Sequence, residues 1–369
     1  MGTLTVDLGE RSYPIHVTPD LPARHVAKEA RRIREGLGAI QGAPVLLVSD
    51  TNVGPLYAAD VAAGLEAEGF RVIRHTVEAG ERSKTLDTVA AVVDVALGAG
   101  LGRRDLVVAL GGGVVGDISG FAAAILHRGV ALIQVPTTLL AQVDSAVGGK
   151  TGVNHRLGKN LIGAFWQPRS VVASHAVLAT LPDRERRCGL AEAIKHGFIA
   201  DRTLVDRFLS EAASLERLEP EPTMALIEAC CRIKAAIVAS DEREAGDRAV
   251  LNFGHTLGHA YERLLGYGEL THGEAVSLGM VHAARVSENI GASGPGLAER
   301  VVSVLSAAGL PVDTTAPGLP SIEALLEAAR SDKKADGDTI RFVVLEEVGR
   351  SLIERLTWDE LADALASPV

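Results

Sequence analysis

An α/β parallel-sheet domain followed by a mainly α-helical domain is the fold this sequence predicts, and three observations predict it. Up to about residue 175, short runs of Val, Leu and Ile alternate with stretches of helical period. A glycine-rich turn, LGGGVVGD at 110–117, stands between one such run and the next helix. Past about residue 180 helical periodicity takes over almost completely. The 369-residue length exceeds a typical single core, so two domains are expected, 1–178 and 179–369, with the boundary in His175–Pro182.

Each element has its own warrant. Strands are expected at Thr3–Asp7, Tyr13–Val17, Val45–Ser49, Arg71–His75, Leu106–Leu110 and Ala131–Val135. They are short and rich in β-branched and aliphatic residues, as in strands buried on both faces. Helices fill Ala23–Glu35, Val53–Glu68, Thr85–Ala99 and Val114–Ala124, one between each pair of successive strands from Tyr13–Val17 onward, which implies a parallel sheet covered on both sides. In the second half the helical patterns are Arg184–Ile199, Leu204–Leu215, Pro222–Ser240, Arg248–Leu265, Gly273–Ile290, Gly296–Ala308 and Ser321–Arg330, with one strand at Ile340–Leu345.

Composition removes several function classes. No uncharged apolar run of 18 residues could span a bilayer, and MGTLTVDLGERSYPIHV alternates like a strand instead of resembling a signal peptide. The three cysteines, Cys188, Cys230 and Cys231, form neither a disulfide framework nor a CxxC knuckle, so a cytoplasmic protein is expected. A formal net charge of −10 argues against a nucleic-acid partner but not against a small anion in a locally basic pocket. The chain has 29 Arg and only 8 Lys. Its lysines therefore mark positions where a compact ammonium matters, and all but Lys28 fall in the motifs below.

Ligands of open parallel sheets bind beyond the carboxyl ends of the strands. At the first such end, Asp50, followed by Thr51-Asn52, suits both hydroxyls of a ribose, although an acidic residue there equally serves as the N-cap of the next helix. At the second, EAGERSK (78–84) offers Gly80, Ser83 and Lys84 to a phosphate. The third carries Gly111, Gly113 and Gly116 as GxGxxG, a cradle of backbone N–H groups for a pyrophosphate, and makes the domain Rossmann-like. Its glycines come late in the sheet, and no acidic residue closes the following strand, so a variant of that fold is expected. The stretch QVDSAVGGKTGVNHRLGKNLIG (142–163) reads as a glycine-rich loop in which Lys150, Lys159 and Asn160 clamp an oxyanion or phosphate.

The most concentrated feature is RAVLNFGHTLGHAYERLLGYGELTHGE (248–274). Placed on one helix, Arg248, Asn252, His255 and His259 are spaced 4, 3 and 4 and form a polar stripe. His at i and i+4 can share a metal, with Glu192 as a third, carboxylate ligand. Other polar groups on helices are Lys195, Lys234 and Glu244, and Asp332-Lys333-Lys334 follows the last helix.

Together, GGGVVGDISGFAAA, RGVALIQVPTTLLAQVDSAVGGKTGVNHRLGKNLIGAFWQP, GLAEAIKHG, DEREAGDRAVLNFGHTLGHAYE, HGEAVSLGM and DKK resemble the 3-dehydroquinate synthase family of sugar-phosphate cyclases over nearly the whole chain. The resemblance implies a divalent metal, zinc or cobalt, held by Glu192, His255 and His272, with His259 facing substrate instead. It implies NAD along Asp50, Asn52, Glu81, Lys84, Gly113, Val114, Val115, Gly116, Asp117, Thr137, Thr138, Lys150, Lys159 and Thr180. The substrate, 3-deoxy-D-arabino-heptulosonate 7-phosphate, would meet Asp144, Lys150, Asn160, Lys195, Lys234, Glu244, Arg248, Asn252, His259 and Lys333 or Lys334. Arg128 would reach the site of a neighbouring subunit, implying a homodimer. The implied reaction is transient oxidation, phosphate elimination, re-reduction and intramolecular aldol closure to 3-dehydroquinate, a step toward aromatic amino acids.

Two other readings remain at this point. A metal-dependent polyol dehydrogenase shares the two-domain plan but has no use for so many lysines. A paralogous cyclase acting on sedoheptulose 7-phosphate or glucose 6-phosphate is closer, although relatives of that kind change the positions of Asn252 and His259.

Overall fold

In the computed structural model, residues 2–266, 268–332 and 338–366 are described. The chain divides into two units, Met1–Leu181 with Lys234–Ala239, and Pro182–Ile233 with Ser240–Val369.

The first unit opens with β1 (Gly2–Val6), β2 (Tyr13–Thr18), α1 (Ala23–Leu37), β3 (Pro44–Asp50), α2 (Ala59–Ala67), β4 (Arg71–Val77), α3 (Leu86–Gly98), β5 (Leu106–Gly111), α4 (Gly113–Ile125) and β6 (Ala131–Pro136). A hairpin of β7 (Lys150–His155) and β8 (Gly158–Phe165) follows, then β9 (Ser170–Ser174). The seven-stranded sheet runs β1-β2-β9-β6-β5-β3-β4. It is parallel except for β1, which pairs antiparallel with β2 at the edge. The α/β expectation holds, with the reason visible residue by residue. Val45 and Leu47 of β3 join the core under α1 and α2, whereas Leu46 and Val48 join the core under α3 and α4. A strand that must be apolar on both faces reads as a continuous run.

Three details differ from expectation. The strand β9, SVVAS, was not expected; it lies inside the sheet and is fully buried. The helix expected at Val53–Glu68 opens as a π turn, Gly54–Ala58, before α2. Most importantly, the expected loop at 142–163 contains the β7–β8 hairpin. Its glycines allow backbones to touch: a Cβ on Gly152 would sit 2.5 Å from the Ile162 carbonyl oxygen, and one on Gly163 would strike that of Thr151.

The second unit contains α5 (Asp183–Ala200), α6 (Arg202–Ser210), α7 (Ala212–Glu216), most of α8 (Pro220–Ser240), α9 (His255–Leu265), α10 (His272–Asn289), α11 (Leu297–Ala307) and α12 (Ile322–Asp332). A hairpin of β10 (Thr339–Glu347) and β11 (Arg350–Thr357) precedes α13 (Trp358–Ala366), so the single strand expected there has a partner. The expected helix at Arg248–Leu265 is also corrected. Residues Asp247–Asn252 form a 3-10 turn, Gly254 takes φ 78°, and α9 starts only at His255. No helix among the described residues is long and apolar enough to cross a membrane.

One buried ion pair ties α1 to the sheet. Glu29 is 5% exposed and accepts from Arg32 Nε at 3.0 Å, with His16 Nε2 of β2 at 3.4 Å. Burial pushes its carboxyl up, but His16 and Arg32 outweigh that and bring it down to about 2. A depressed acid stabilises the fold above its ordinary pKa and loses that contribution as pH falls toward 2. We therefore expect Glu29→Gln to lower stability by roughly 1–3 kcal/mol at pH 7. In paired urea titrations the difference should shrink below pH 4.5; a pH-independent difference would exclude the charge as its cause.

Candidate functional site

Three helices of the second unit converge on one carboxylate. Glu192 lies in the middle of α5 and is 0% exposed. His255 is the first residue of α9 and His272 the first of α10. Glycines set how closely these helices approach. A Cβ on Gly273 would sit 2.5 Å from the Cys188 carbonyl oxygen, one turn before Glu192. A Cβ on Gly279 of α10 would strike the Gly254 carbonyl oxygen, and one on Gly258 of α9 would lie 3.2 Å from Val276 Cα. The N-terminus of α10 is further fixed by a capping box between Thr271 and Glu274, and Arg184 grips Glu274 with contacts of 2.7–3.2 Å.

The two imidazoles are oriented alike. His255 Nδ1 lies 3.2 Å from the Phe253 carbonyl oxygen, which only accepts, so the proton sits on Nδ1 and the Nε2 lone pair is available. His272 Nδ1 faces Glu262 Oε2 at 3.5 Å. The Nε2 atoms lie 3.4 and 3.5 Å from Glu192 Oε1. Those separations match the roughly 3.4 Å edge of a tetrahedron with zinc–ligand bonds of about 2.0–2.1 Å. Glu192, His255 and His272 therefore fit a divalent ion, with all three ligand atoms within 4.8 Å of one another. His259, Glu262 and His272 form a second grouping of this kind, but His259 is exposed.

The electrostatics agree with the geometry. Burial raises the Glu192 carboxyl, yet Lys195, then His255 and His272, hold it well below the usual carboxylate range. Lys195 Nζ is 2.5 Å from Glu192 Oε2 and 1% exposed. Burial pushes His255 down to about 3, keeping it neutral. It also pulls down His272, but Glu192 and Glu262 outweigh it and bring that ring up to about 10. Two carboxylates around one ring make the position attractive to positive charge, whether a proton or a metal.

Glu262 was not among the expected residues. It stands seven residues after His255 and three after His259, on the same face of α9, and this spacing was the signal available for it. Arg248 is fully buried in the 3-10 turn and donates to the Glu242 carbonyl oxygen. Asn252 donates to Glu244 Oε1 at 3.1 Å. The polar stripe is thus two pieces, the 3-10 turn and the first turns of α9.

The remaining expected residues lie in the first unit, apart from Lys333 and Lys334, which fall outside the described residues. Gly113, Val114, Val115 and Gly116 form the first turn of α4, and Gly111 ends β5. The cradle is one that side chains would fill: a Cβ on Gly113 would lie 3.0 Å from Ser145 Oγ, and one on Gly116 2.8 Å from Gln134 Oε1. The N–H groups of a helix's first turn lack intrahelical acceptors and suit a phosphate. Thr137 is buried with its hydroxyl unpaired, and Thr138 accepts from the Ala141 N–H. Asp50 Oδ1 accepts from the Asn52 and Val53 N–H groups at 2.8 Å each, so it does cap the next turn. Exposed Thr180 bonds Tyr57 Oη at 2.8 Å.

Lys84 Nζ donates to Asp117 Oδ2 at 2.6 Å and Asn160 Oδ1 at 2.5 Å, with Glu81 Oε1 4.0 Å away. Lys234 donates to the Asp144 carbonyl and carboxylate oxygens at 2.6 and 2.7 Å, and its segment of α8, Lys234–Ala239, belongs to this unit. Lys150 is exposed at the start of β7, and Lys159 is half-buried on β8. Arg128 is exposed on a turn where His127, Arg128 and Gly129 all have positive φ.

Two predictions follow from the helix crossings. His272→Ala should abolish zinc binding in equilibrium dialysis, whereas His259→Ala should retain one ion per chain; loss of the ion from His259→Ala would assign it to the second grouping. Gly273→Ala should overpack the α5–α10 crossing, costing about 1–3 kcal/mol in thermal unfolding and weakening zinc affinity together.

Comparison with known proteins agrees with this picture. A family profile described as 3-dehydroquinate synthase N-terminal matches residues 74–188, and one described as 3-dehydroquinate synthase C-terminal matches 189–335. Among solved structures, 2-epi-5-epi-valiolone synthase from Streptomyces hygroscopicus subsp. jinggangensis, with NAD+ and Zn2+ bound, superposes with a TM-score of 0.84 at 28% identity over 97% of each chain. A 2-deoxy-scyllo-inosose synthase complexed with carbaglucose-6-phosphate, NAD+ and Co2+ gives 0.84 at 24% identity over 99% of each chain. A probable glycerol dehydrogenase from Sinorhizobium meliloti shares the fold more loosely, with 0.64 at 16% identity over 95% and 94%. With contiguous matches spanning residues 74–335, the chain belongs to the 3-dehydroquinate synthase family.

Proposed function

We propose that the protein is a metal- and NAD-dependent sugar-phosphate cyclase, and specifically a 3-dehydroquinate synthase. It would convert 3-deoxy-D-arabino-heptulosonate 7-phosphate to 3-dehydroquinate and phosphate. The observation that carries the cyclase reading is the buried Glu192–His255–His272 cluster in a chain of this family. When bound, NAD supplies a reversible hydride acceptor and the divalent ion a Lewis acid for a substrate hydroxyl.

The chain's own residues would hold and orient the substrate. In the second unit, His259 is the exposed imidazole 5.4 Å from the His255 ring, suited to exchanging a proton with a substrate hydroxyl. Asn252, its amide N–H group committed to Glu244, presents its carbonyl oxygen as an acceptor. Lys195 and Arg248 are buried cations suited to the phosphate and carboxylate of the substrate. In the first unit, Asp144, Lys150, Asn160 and Lys234 are charged and amide groups of the kind such a substrate needs, while Lys84, Asp117, the Gly113–Gly116 turn, Thr137 and Thr138 would hold NAD. Preorganised cations stabilise phosphate as it departs, and the oxidised carbon's electron withdrawal acidifies the neighbouring C–H. Arg128 contributing to a second copy's site remains part of this proposal, as does a homodimer.

A paralogous cyclase is the second reading, favoured by the inosose and valiolone synthases among the structural neighbours. The joint presence of Asn252 and His259 supports the dehydroquinate reading.

Incubation with each candidate sugar phosphate decides between them. The heptulosonate phosphate should release inorganic phosphate with catalytic NAD and no NADH accumulation, and a chelator should stop it. Release only from sedoheptulose 7-phosphate or glucose 6-phosphate would establish the paralogue, and stoichiometric NADH would indicate a dehydrogenase.

A further inference from the structure

The β7–β8 hairpin carries an asparagine that no role above includes. Its ladder shifts register between Val153 and His155, where Asn154 of β7 stands opposite the three β8 residues 159–161. Its hydrogen bonds reach the residues around Lys84. Its backbone N–H donates to the Lys84 carbonyl oxygen at 2.8 Å. Its side-chain N–H donates to Glu81 Oε1 at 2.7 Å, and its Oδ1 accepts from the Asn160 N–H at 3.0 Å. Asn160 has φ 56°, a left-handed conformation that this last bond helps to hold. Asn160 Oδ1 in turn accepts from Lys84, closing a ring of hydrogen bonds through 154, 160 and 84.

The ring solves an electrostatic problem. Glu81 Oε1 is 4.0 Å from the Lys84 ammonium, at the edge of ion-pair range, and would close to hydrogen-bonding distance if nothing else engaged the carboxylate. Direct pairing would draw Lys84 from Asp117 and Asn160, its partners at 2.6 and 2.5 Å. The Asn154 amide is the donor that holds Glu81 back. We propose that Asn154 is a positioning residue: it holds Glu81 at the edge of ion-pair range of Lys84, so that Lys84, braced by Asn160, keeps with Asp117 the arrangement that receives NAD. The inference rests on the nucleotide reading above.

The test is NAD affinity of the full-length, zinc-loaded protein, measured by titration calorimetry. Asn154→Ala should weaken NAD binding about tenfold, and Asn154→Asp more, because it places a second carboxylate against Glu81. Adding Glu81→Gln to Asn154→Asp exchanges donor and acceptor, and should restore affinity to within about threefold of Glu81→Gln alone. Zinc content should not change in any variant. Asn154→Ala binding NAD within about twofold of wild type, or a double variant whose losses simply add, would overturn the proposal. Should Asn154→Ala fail to fold, the exchanged pair decides. A wild-type protein that binds no NAD would instead contradict the functional reading itself, separately from the role of Asn154.

Discussion

A carboxylate with no solvent access is the constraint around which the second unit is built. Ionised Glu192 in an apolar helix bundle would cost several kcal/mol without compensation. The compensation comes from Lys195 one turn along α5 and from two imidazoles delivered by other helices. Their delivery depends on Gly273, Gly258 and Gly279, because only a missing Cβ lets α10 approach α5 and α9 so closely. The same arrangement explains why Glu262, another buried acid, stands behind His272. It brings two Nε2 atoms and a carboxylate oxygen to face one point, an arrangement that suits a divalent ion.

The first unit is organised by backbone instead of charge. Its glycines at the end of β5 and start of α4 put N–H groups where side chains would otherwise stand. Charged groups are then arranged around that turn by pairing: Lys84 with Asp117, and Lys234 with Asp144. These lysines are buried or nearly so, and each is held by more than one oxygen, so their ammonium groups are preorganised. The scarcity of lysine in this arginine-rich chain therefore has a structural counterpart.

Much of this was legible in the sequence where one residue pattern has one physical cause. Continuous apolar runs such as LVVALG and ALIQVP announce parallel strands because both faces are covered. The glycine turn after β5 was legible for a similar reason. The β7–β8 hairpin was not, because glycine density signals loops and close backbone contact equally, and only the paired strand reveals which applies. The spacing of Arg248, Asn252, His255 and His259 fits a helix, but Gly254 at positive φ breaks it into two segments. Spacing alone paired His255 with His259. The grouping of His255 with distant Glu192 and His272 came from family resemblance, since no local period connects residues on three helices. Glu262 was missed because it meets the cluster only through His272, and its spacing from His255 and His259 has no meaning until that third helix is placed.

If the buried carboxylate holds a divalent ion with His255 and His272, anomalous diffraction at the zinc edge from zinc-soaked crystals should show one strong peak bonded to Glu192, His255 and His272. A peak among His259, Glu262 and His272, or none in the second unit, would show that this cluster is not the metal site.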